Sequence, residues 1–206
     1  KDFGDITVKF FDDVAPKAVK NFITHAKNGY YDGVKFHRVM DQFMIQGGDP
    51  EGTGAGGESI WGKGFEEEIS DSLVPYRGSL CMASVGYGKS SLGSQFFITQ
   101  AKPDNSMIST LQSYGYDNKL IEAYKTYGGY MPLNGQYTVF GQVIDGMNIV
   151  DKIAKTKVKE SDTGEKSVPV KDVIIKNIEV TKSPTVLFAR LDKDEEIEYI
   201  KDVMKS

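Results

Sequence analysis

The chain has 206 residues, 39% hydrophobic and 26% charged, which is enough apolar material for one substantial core. A net charge of −4 offers no basic footprint for nucleic acid or an anionic membrane, and no apolar run approaches the roughly 20 residues that span a bilayer. Cys81 is the single cysteine, so an internal disulfide and a multi-thiolate metal site are excluded.

The chain opens at Lys1 rather than Met, which fits a processed or trimmed product; the compartment is then cytoplasmic or, where a leader was removed, extracytoplasmic. In Asp5 to Phe11, Ile6, Val8 and Phe10 alternate with polar partners, the pattern of a half-buried strand. Pro16 suits the first turn of a helix, and Ala18, Val19, Phe22, Ile23 and Ala26 recur at helical spacing until Asn28-Gly29. Val34 to Met40 reads as a strand and Phe43 to Gln46 as a second short one, stopped by Gly47-Gly48.

Alternation along the first of these places His37 and Arg38 on opposite faces. Arg38 lies in sequence among Phe36, Val39, Phe43 and Met44, which leaves two readings. Its stem covers apolar surface while its head reaches water, or its forked donors sit beside an apolar pocket and serve something bound there. Gln46 offers a donor and an acceptor close by.

Pro50 to Gly64 is a glycine-rich loop with two deceptive patterns. Gly52, Gly54 and Gly57 match G-x-G-x-x-G, but Asp49-Pro50 precedes them and no helical period follows, so a pyrophosphate would find no helix N-terminus. Gly57 to Lys63 nearly matches a phosphate-binding loop, yet Gly64 stands where a hydroxyl must hold magnesium. The run Glu66-Glu67-Glu68 reads as a solvated turn.

Ser79 to Ala83, Gln95 to Thr99 and Tyr137 to Val143 are strands by their aromatic and β-branched content. Between the last two, the excursion 102–131 holds one evident helix, Asn118 to Tyr127, stopped by Gly128-Gly129. Asp145 to Ala154 is another helix, Lys155 to Ser167 a charged, flexible stretch, and Val173 to Val180 a final strand. Beyond Pro184 the chain continues as TVLFAR and a helix candidate, Asp192 to Met204. Many short strands with few helices indicate a closed or nearly closed antiparallel β structure with helical plugs.

Only His25 and His37 are available as imidazoles, so a zinc site is disfavoured. His25 falls in the last turn of the first helix, where a structural role fits, and Cys81 sits in an apolar strand as a small inert thiol. More telling is the recurrence of Phe43, Met44, Phe97, Leu133 and Tyr137 beside Arg38; Phe96 and Phe140 read as plain core, and Phe96 and Phe97 fall on opposite faces of one strand.

FHRVMDQFMIQGGDP, GTGAGGESIWG, the MAS segment at Met82, GSQFFIT from Gly93 and YTVFGQVIDGMNIVDKI from Tyr137 together resemble the cyclophilins, peptidyl-prolyl cis–trans isomerases, and most closely the bacterial single-domain members. The resemblance runs from about Phe3 to Val180. It implies a mainly β fold: a closed eight-stranded antiparallel barrel capped by two helices, over residues 1–182, with an extra helical insertion at about 102–131 and a C-terminal extension at 183–206 of strand or coil plus a helix. It also implies that Arg38 is the catalytic arginine and Gln46 its supporting amide. Phe43, Met44, Phe97 and Leu133 would hold the substrate proline ring, and Gln95 with the backbone at Ala83 and Ser84 would hold the peptide. Tyr137 stands where many members carry His and still closes the pocket; His37 belongs to the same motif and is counted with the substrate-binding residues. Ser84 replaces a common Asn, and the stretch from Gly86 to Leu92 is slightly longer than usual.

The partners implied are proline-containing polypeptides, met by a monomer without cofactor or metal. Pro132 occupies the position of a Trp associated with strong cyclosporin binding, so only weak binding of that drug is expected. The first strand of the barrel is cut short, and either residues outside the chain or the tail from Thr185 would complete it. Two other classes stay open at this stage: a module that grips proline peptides with little catalysis, and a barrel for small apolar ligands, against which stands the default of a filled interior in small barrels.

Overall fold

The computed structural model describes residues 3–84 and 91–181. The tail beyond Pro184, with its helix candidate, lies outside the described residues, as does most of the stretch after Ser84. In chain order the strands are β1 (Thr7–Phe10), β2 (Arg38–Met40), β3 (Met44–Gly47), β4 (Ser79–Ser84), β5 (Leu92–Thr99), β6 (Val139–Asp145), β7 (Val158–Glu160) and β8 (Lys166–Pro169). The helices are α1 (Pro16–Lys27), α2 (Asn105–Ser113), α3 (Asn118–Tyr127) and α4 (Met147–Ala154).

The fold is mainly β, but the eight strands do not form one ring. Six make a fully antiparallel sheet in the order β1-β6-β4-β5-β3-β2, while β7 and β8 form a separate hairpin. The expected last strand, Val173 to Val180, is reduced to a single bridge, Lys35 to Ile174, flanked by hydrogen bonds from Gly33 N to Ile175 O, Phe36 N to Val173 O and Ile175 N to Val34 O. Those few bonds do not make a continuous ladder, so β1 and β2 stand at the two ends of the strand order.

The stretch from Lys155 to Ser167, read from its charge as flexible, is instead the β7–β8 hairpin. Val158 pairs with Pro169 and Lys159 with Val168, and Gly164 takes the turn at φ 83°. The excursion likewise holds a second helix. α2 is poor in strong helix formers, yet the Asp104 carboxylate accepts from Met107 N at 3.1 Å and starts it, as Asp117 starts α3 through Lys119 N at 2.7 Å. The pair buries Leu111, Ile121 and Tyr124 against Val74 and Tyr76 in a cluster of its own.

Alternation along the sheet separates two apolar regions. On one face Val39, Ile45, Leu80, Met82, Phe96, Ile98 and Phe140 pack with Val19 and Phe22 of α1 and Val150 and Ile153 of α4. On the other, Met44, Cys81, Phe97 and Val139 meet Phe43, Leu133 and Tyr137. Phe96 and Phe97 therefore do part company, one to each face.

The acidic run is not a solvated turn. α1 begins with Pro16 and has Ala15 at its N-cap, which offers no side-chain acceptor. Glu68 supplies one from 50 residues away, accepting from Lys17 N at 3.1 Å and Ala18 N at 2.9 Å. Glu67 accepts from both the N–H, at 3.0 Å, and the hydroxyl, at 2.6 Å, of Thr138. Burial pushes its carboxyl above the usual range. His25 is buried, as a structural role requires: its ring Nε2–H donates to Glu58 O at 2.9 Å, and burial lowers its pKa.

Candidate active site

The turn Asp41-Gln42-Phe43 sets the register of β2 against β3, with Gln42 in the left-handed region at φ 59°. That register pairs Arg38 with Gln46 and Met40 with Met44, so both pairs project from the face opposite the main core. Sequence spacing alone placed Arg38 near these residues; the ladder puts its guanidinium over the ring of Phe43, 5.6 Å from the centroid.

Behind Arg38 runs a relay of amides. Arg38 Nη1 donates to Gln46 Oε1 at 3.4 Å, and Gln46 Nε2 donates to Gln95 Oε1 at 3.0 Å. Gln95, fully buried, donates its own Nε2 to Gly54 O at 3.0 Å and Gly56 O at 2.8 Å. The glycine-rich loop is thus a scaffold for a side chain. Its root is Asp49, buried, whose carboxylate accepts from Glu51 N at 2.9 Å, Thr53 N at 2.9 Å, Gly54 N at 2.7 Å and Gly56 N at 3.2 Å. Burial pushes that carboxyl up, but these donors together with the Thr53 hydroxyl outweigh it and hold it below its ordinary value. Gly48 lets the chain pass close beneath β5: at φ 91° a Cβ there would lie 2.5 Å from Ser94 O.

Beside the guanidinium, Phe43, Met44, Phe97, Leu133 and Tyr137 belong to one apolar cluster, together with buried Ala83 and Cys81. Tyr137 meets Phe97 edge-on at 5.4 Å, and Tyr130 packs on Phe43 at 4.4 Å. Leu133 and Pro132 lie on a 3-10 turn, Met131–Leu133. Ser84, at the end of β4, is exposed, with its hydroxyl against that of Ser91. Burial pushes the Cys81 thiol far up, which leaves it no nucleophilic role.

His37 is placed apart from this cluster. It is buried beneath the loop, with Gly54 over its ring, and its Nδ1 has no hydrogen-bond partner among the described residues. Burial lowers its pKa, which keeps it neutral.

Two residues near Arg38 were not singled out from the sequence. Tyr130 carried no pattern to mark it. Glu165 comes from the β7–β8 turn and binds Arg38 with both oxygens, Nε to Oε1 at 2.8 Å and Nη2 to Oε2 at 2.9 Å. The hydrogen bonds from Arg38 hold its carboxyl down to about 2, and the same contact raises the pKa of Arg38. The turn residues Ser161 to Gly164 could have signalled the hairpin, but nothing in the sequence aims Glu165 at Arg38.

Among the described residues no group of three or more His, Cys, Asp or Glu is placed to hold a metal ion, and no helix is long and apolar enough to cross a membrane.

Comparison with known proteins adds the family. The profile described as "Cyclophilin type peptidyl-prolyl cis-trans isomerase/CLD" matches residues 1–180. A putative peptidyl-prolyl cis-trans isomerase of Staphylococcus epidermidis is 50% identical over 179 residues, covering 86% of this chain and 87% of the relative. Its counterpart in Staphylococcus aureus strain USA300 matches to the same extent, 50% over 179 residues. Among solved structures, a cyclophilin-type peptidyl-prolyl cis-trans isomerase of Cryptosporidium parvum superposes with a TM-score of 0.67 at 34% identity, covering 89% of this chain and 94% of the other. A second structure of that protein, determined in the presence of the dipeptide Ala-Pro, gives 0.67 at 34% identity over 88% and 96%. An arginine-bearing face on an antiparallel sheet, with matches over nearly the whole described chain, makes this protein a member of the cyclophilin-type peptidyl-prolyl cis–trans isomerases.

Proposed function

We propose that this isomerase turns X-Pro bonds in unfolded or flexible chains at the face formed by β2, β3 and β5, with Arg38 as the catalytic group. The observation that carries this reading is the Arg38 guanidinium set beside the apolar cluster of Phe43, Met44, Phe97, Leu133 and Tyr137. Rotation about a peptide bond is opposed by amide resonance, with a barrier of roughly 18–20 kcal/mol. For X-Pro bonds that makes isomerisation a matter of roughly tens to hundreds of seconds. No nucleophile or proton transfer is needed.

As the bond twists, the proline nitrogen becomes pyramidal and recovers its lone pair. A donor aimed at that nitrogen gains strength only in the twisted state, which is the condition for catalysis rather than mere binding. Arg38 suits the task because it is always charged and rigidly forked. The cluster grips the ring while the acyl side turns, and shields the guanidinium from water. The backbone at Ala83 and Ser84 holds the flanking peptide and Gln46 supports Arg38, while Gln95, fully buried with its amide committed to Gln46, Gly54 O and Gly56 O, acts from behind by holding Gln46 rather than by touching the peptide. Each ~1.4 kcal/mol of preferential transition-state stabilisation is worth about tenfold in rate. That the Cryptosporidium parvum protein was crystallised in the presence of Ala-Pro is consistent with a proline-peptide ligand.

The test is the cis-to-trans rate of a short Ala-Pro-Phe peptide, measured by exchange NMR with the parent and Arg38→Ala. Acceleration by the parent with at least about hundredfold loss in the variant is expected. A fully active Arg38→Ala protein overturns the proposal.

A further inference from the structure

Arg38 has five N–H donors, and their distribution here is uneven. The Nε–Nη2 edge is taken side-on by Glu165, at 2.8 and 2.9 Å, with Nη2 also 3.6 Å from Met40 Sδ. Among the described residues Nη1 has only the long contact to Gln46, at 3.4 Å. The firm anchor of the guanidinium is therefore not the supporting amide but a carboxylate from the β7–β8 hairpin, 127 residues away in sequence.

We propose that Glu165 is a positioning residue for catalysis: it grips the Nε–Nη2 edge of Arg38 so that the Nη1 vertex faces the proline pocket. The inference rests on the reading of Arg38 as the catalytic group. Arg38 is a long side chain, and about a third of it is exposed (34%), so unaided it would sample several rotamers. A bidentate carboxylate restricts both the direction and the plane of the fork, which a single acceptor cannot do.

Glu165 is itself held. Its N–H donates to Ser161 Oγ at 3.2 Å, and its carbonyl accepts from Ser161 N at 2.8 Å. Its carboxylate also receives a hydrogen bond from Ser167, and Val170 N donates to Lys157 O at 2.8 Å near the base of the hairpin. An ordinary surface ion pair lacks such support on the acidic side. The pairing offsets part of the Arg38 charge, so the direction of its remaining N–H groups matters for stabilising the proline nitrogen.

The experiment uses the full chain and four proteins: parent, Glu165→Gln, Glu165→Ala and Arg38→Ala. Exchange NMR on the same peptide gives kcat and KM, and the Arg38 15Nε–Hε resonance, assigned by its loss in Arg38→Ala, reports the grip directly. In Glu165→Ala we expect kcat to fall about tenfold with KM little changed, and the Nε–Hε signal to broaden or move upfield. Glu165→Gln keeps one acceptor and should fall between. Should Glu165→Ala fail to fold, Glu165→Gln with a native amide spectrum carries the test. Unchanged or increased kcat in the Glu165 variants, with Arg38→Ala inactive, overturns this inference alone. So does a loss of kcat with the Arg38 signal unmoved. A fully active Arg38→Ala protein instead overturns the reading on which it rests.

Discussion

Asp49→Asn is the substitution with the most to say about how the site is held. The side chain is fully buried, and Oδ2 alone accepts from Thr53 N at 2.9 Å, Thr53 Oγ1 at 3.0 Å, Gly54 N at 2.7 Å and Gly56 N at 3.2 Å, while Oδ1 takes Glu51 N at 2.9 Å. Asparagine keeps the shape but has one oxygen. With that oxygen at the Oδ2 position, four charge-assisted bonds become neutral, and the amide nitrogen meets the Glu51 N–H donor to donor. Hydrogen bonds to charged groups contribute about 1.5–3 kcal/mol and neutral ones about 0.5–1.5, but four bonds that share one oxygen do not add in full. Burying a neutral amide also costs less than burying a carboxylate, which offsets part of the loss. A net destabilisation of about 2–4 kcal/mol follows. In a chain of this size that lowers Tm by roughly 5–15 °C.

The pH dependence has a definite sign. The folded carboxyl lies below its unfolded value, so its contribution is complete above about pH 4 and fades as pH falls through the lowered folded value. Asparagine has no such slope. Urea unfolding followed by circular dichroism should therefore show a constant gap between parent and variant from neutral pH down to about pH 5, narrowing below about pH 4. A variant within about 0.5 kcal/mol of the parent at neutral pH, or a gap that does not narrow on acidification, would refute the argument. Because Gly54 O and Gly56 O hold Gln95, the variant should also lose isomerase activity while still folded.

Three further outcomes are expected. Glu68→Ala removes the acceptor of two α1 N–H groups and should cost about 1 kcal/mol by thermal unfolding, with Glu68→Gln recovering part of it. Phe97→Ala empties the middle of the apolar cluster; a loss of about 3 kcal/mol in stability and a rise in KM larger than the fall in kcat are expected from melts and peptide titrations. Cys81, buried and with its thiol pushed far up, should resist a thiol reagent at about pH 8 in the native protein and react at once in guanidinium chloride.

Much of the architecture was legible because local rules settled it. Alternation announced β1, Pro16 and Asn28-Gly29 bounded α1, and Asn118 to Tyr127 is the span of α3 in the structure. The separation of Phe96 from Phe97 followed from strand periodicity alone, which is a property of the backbone. The family motifs carried Arg38, Gln46 and the aromatic cluster together, and these share one face because the β2–β3 register sets Arg38 opposite Gln46.

The misjudged segments are those whose conformation depends on distant partners. Lys155 to Ser167 looks solvated by charge, yet it pairs as a hairpin packed beside β2. Glu66 to Glu68 looks like a surface turn, yet two of the three carboxylates serve backbone donors elsewhere in the chain. α2 was hidden by its serines and threonines, which compete with helical hydrogen bonds until a cap and a packing surface are present. Composition and periodicity determined which segments could be strands or helices and which face of each was apolar. Only the tertiary structure decided that Glu165 should reach Arg38, since an ion pair across so long a stretch of chain leaves no periodic trace. Its geometry exists only once the hairpin has docked.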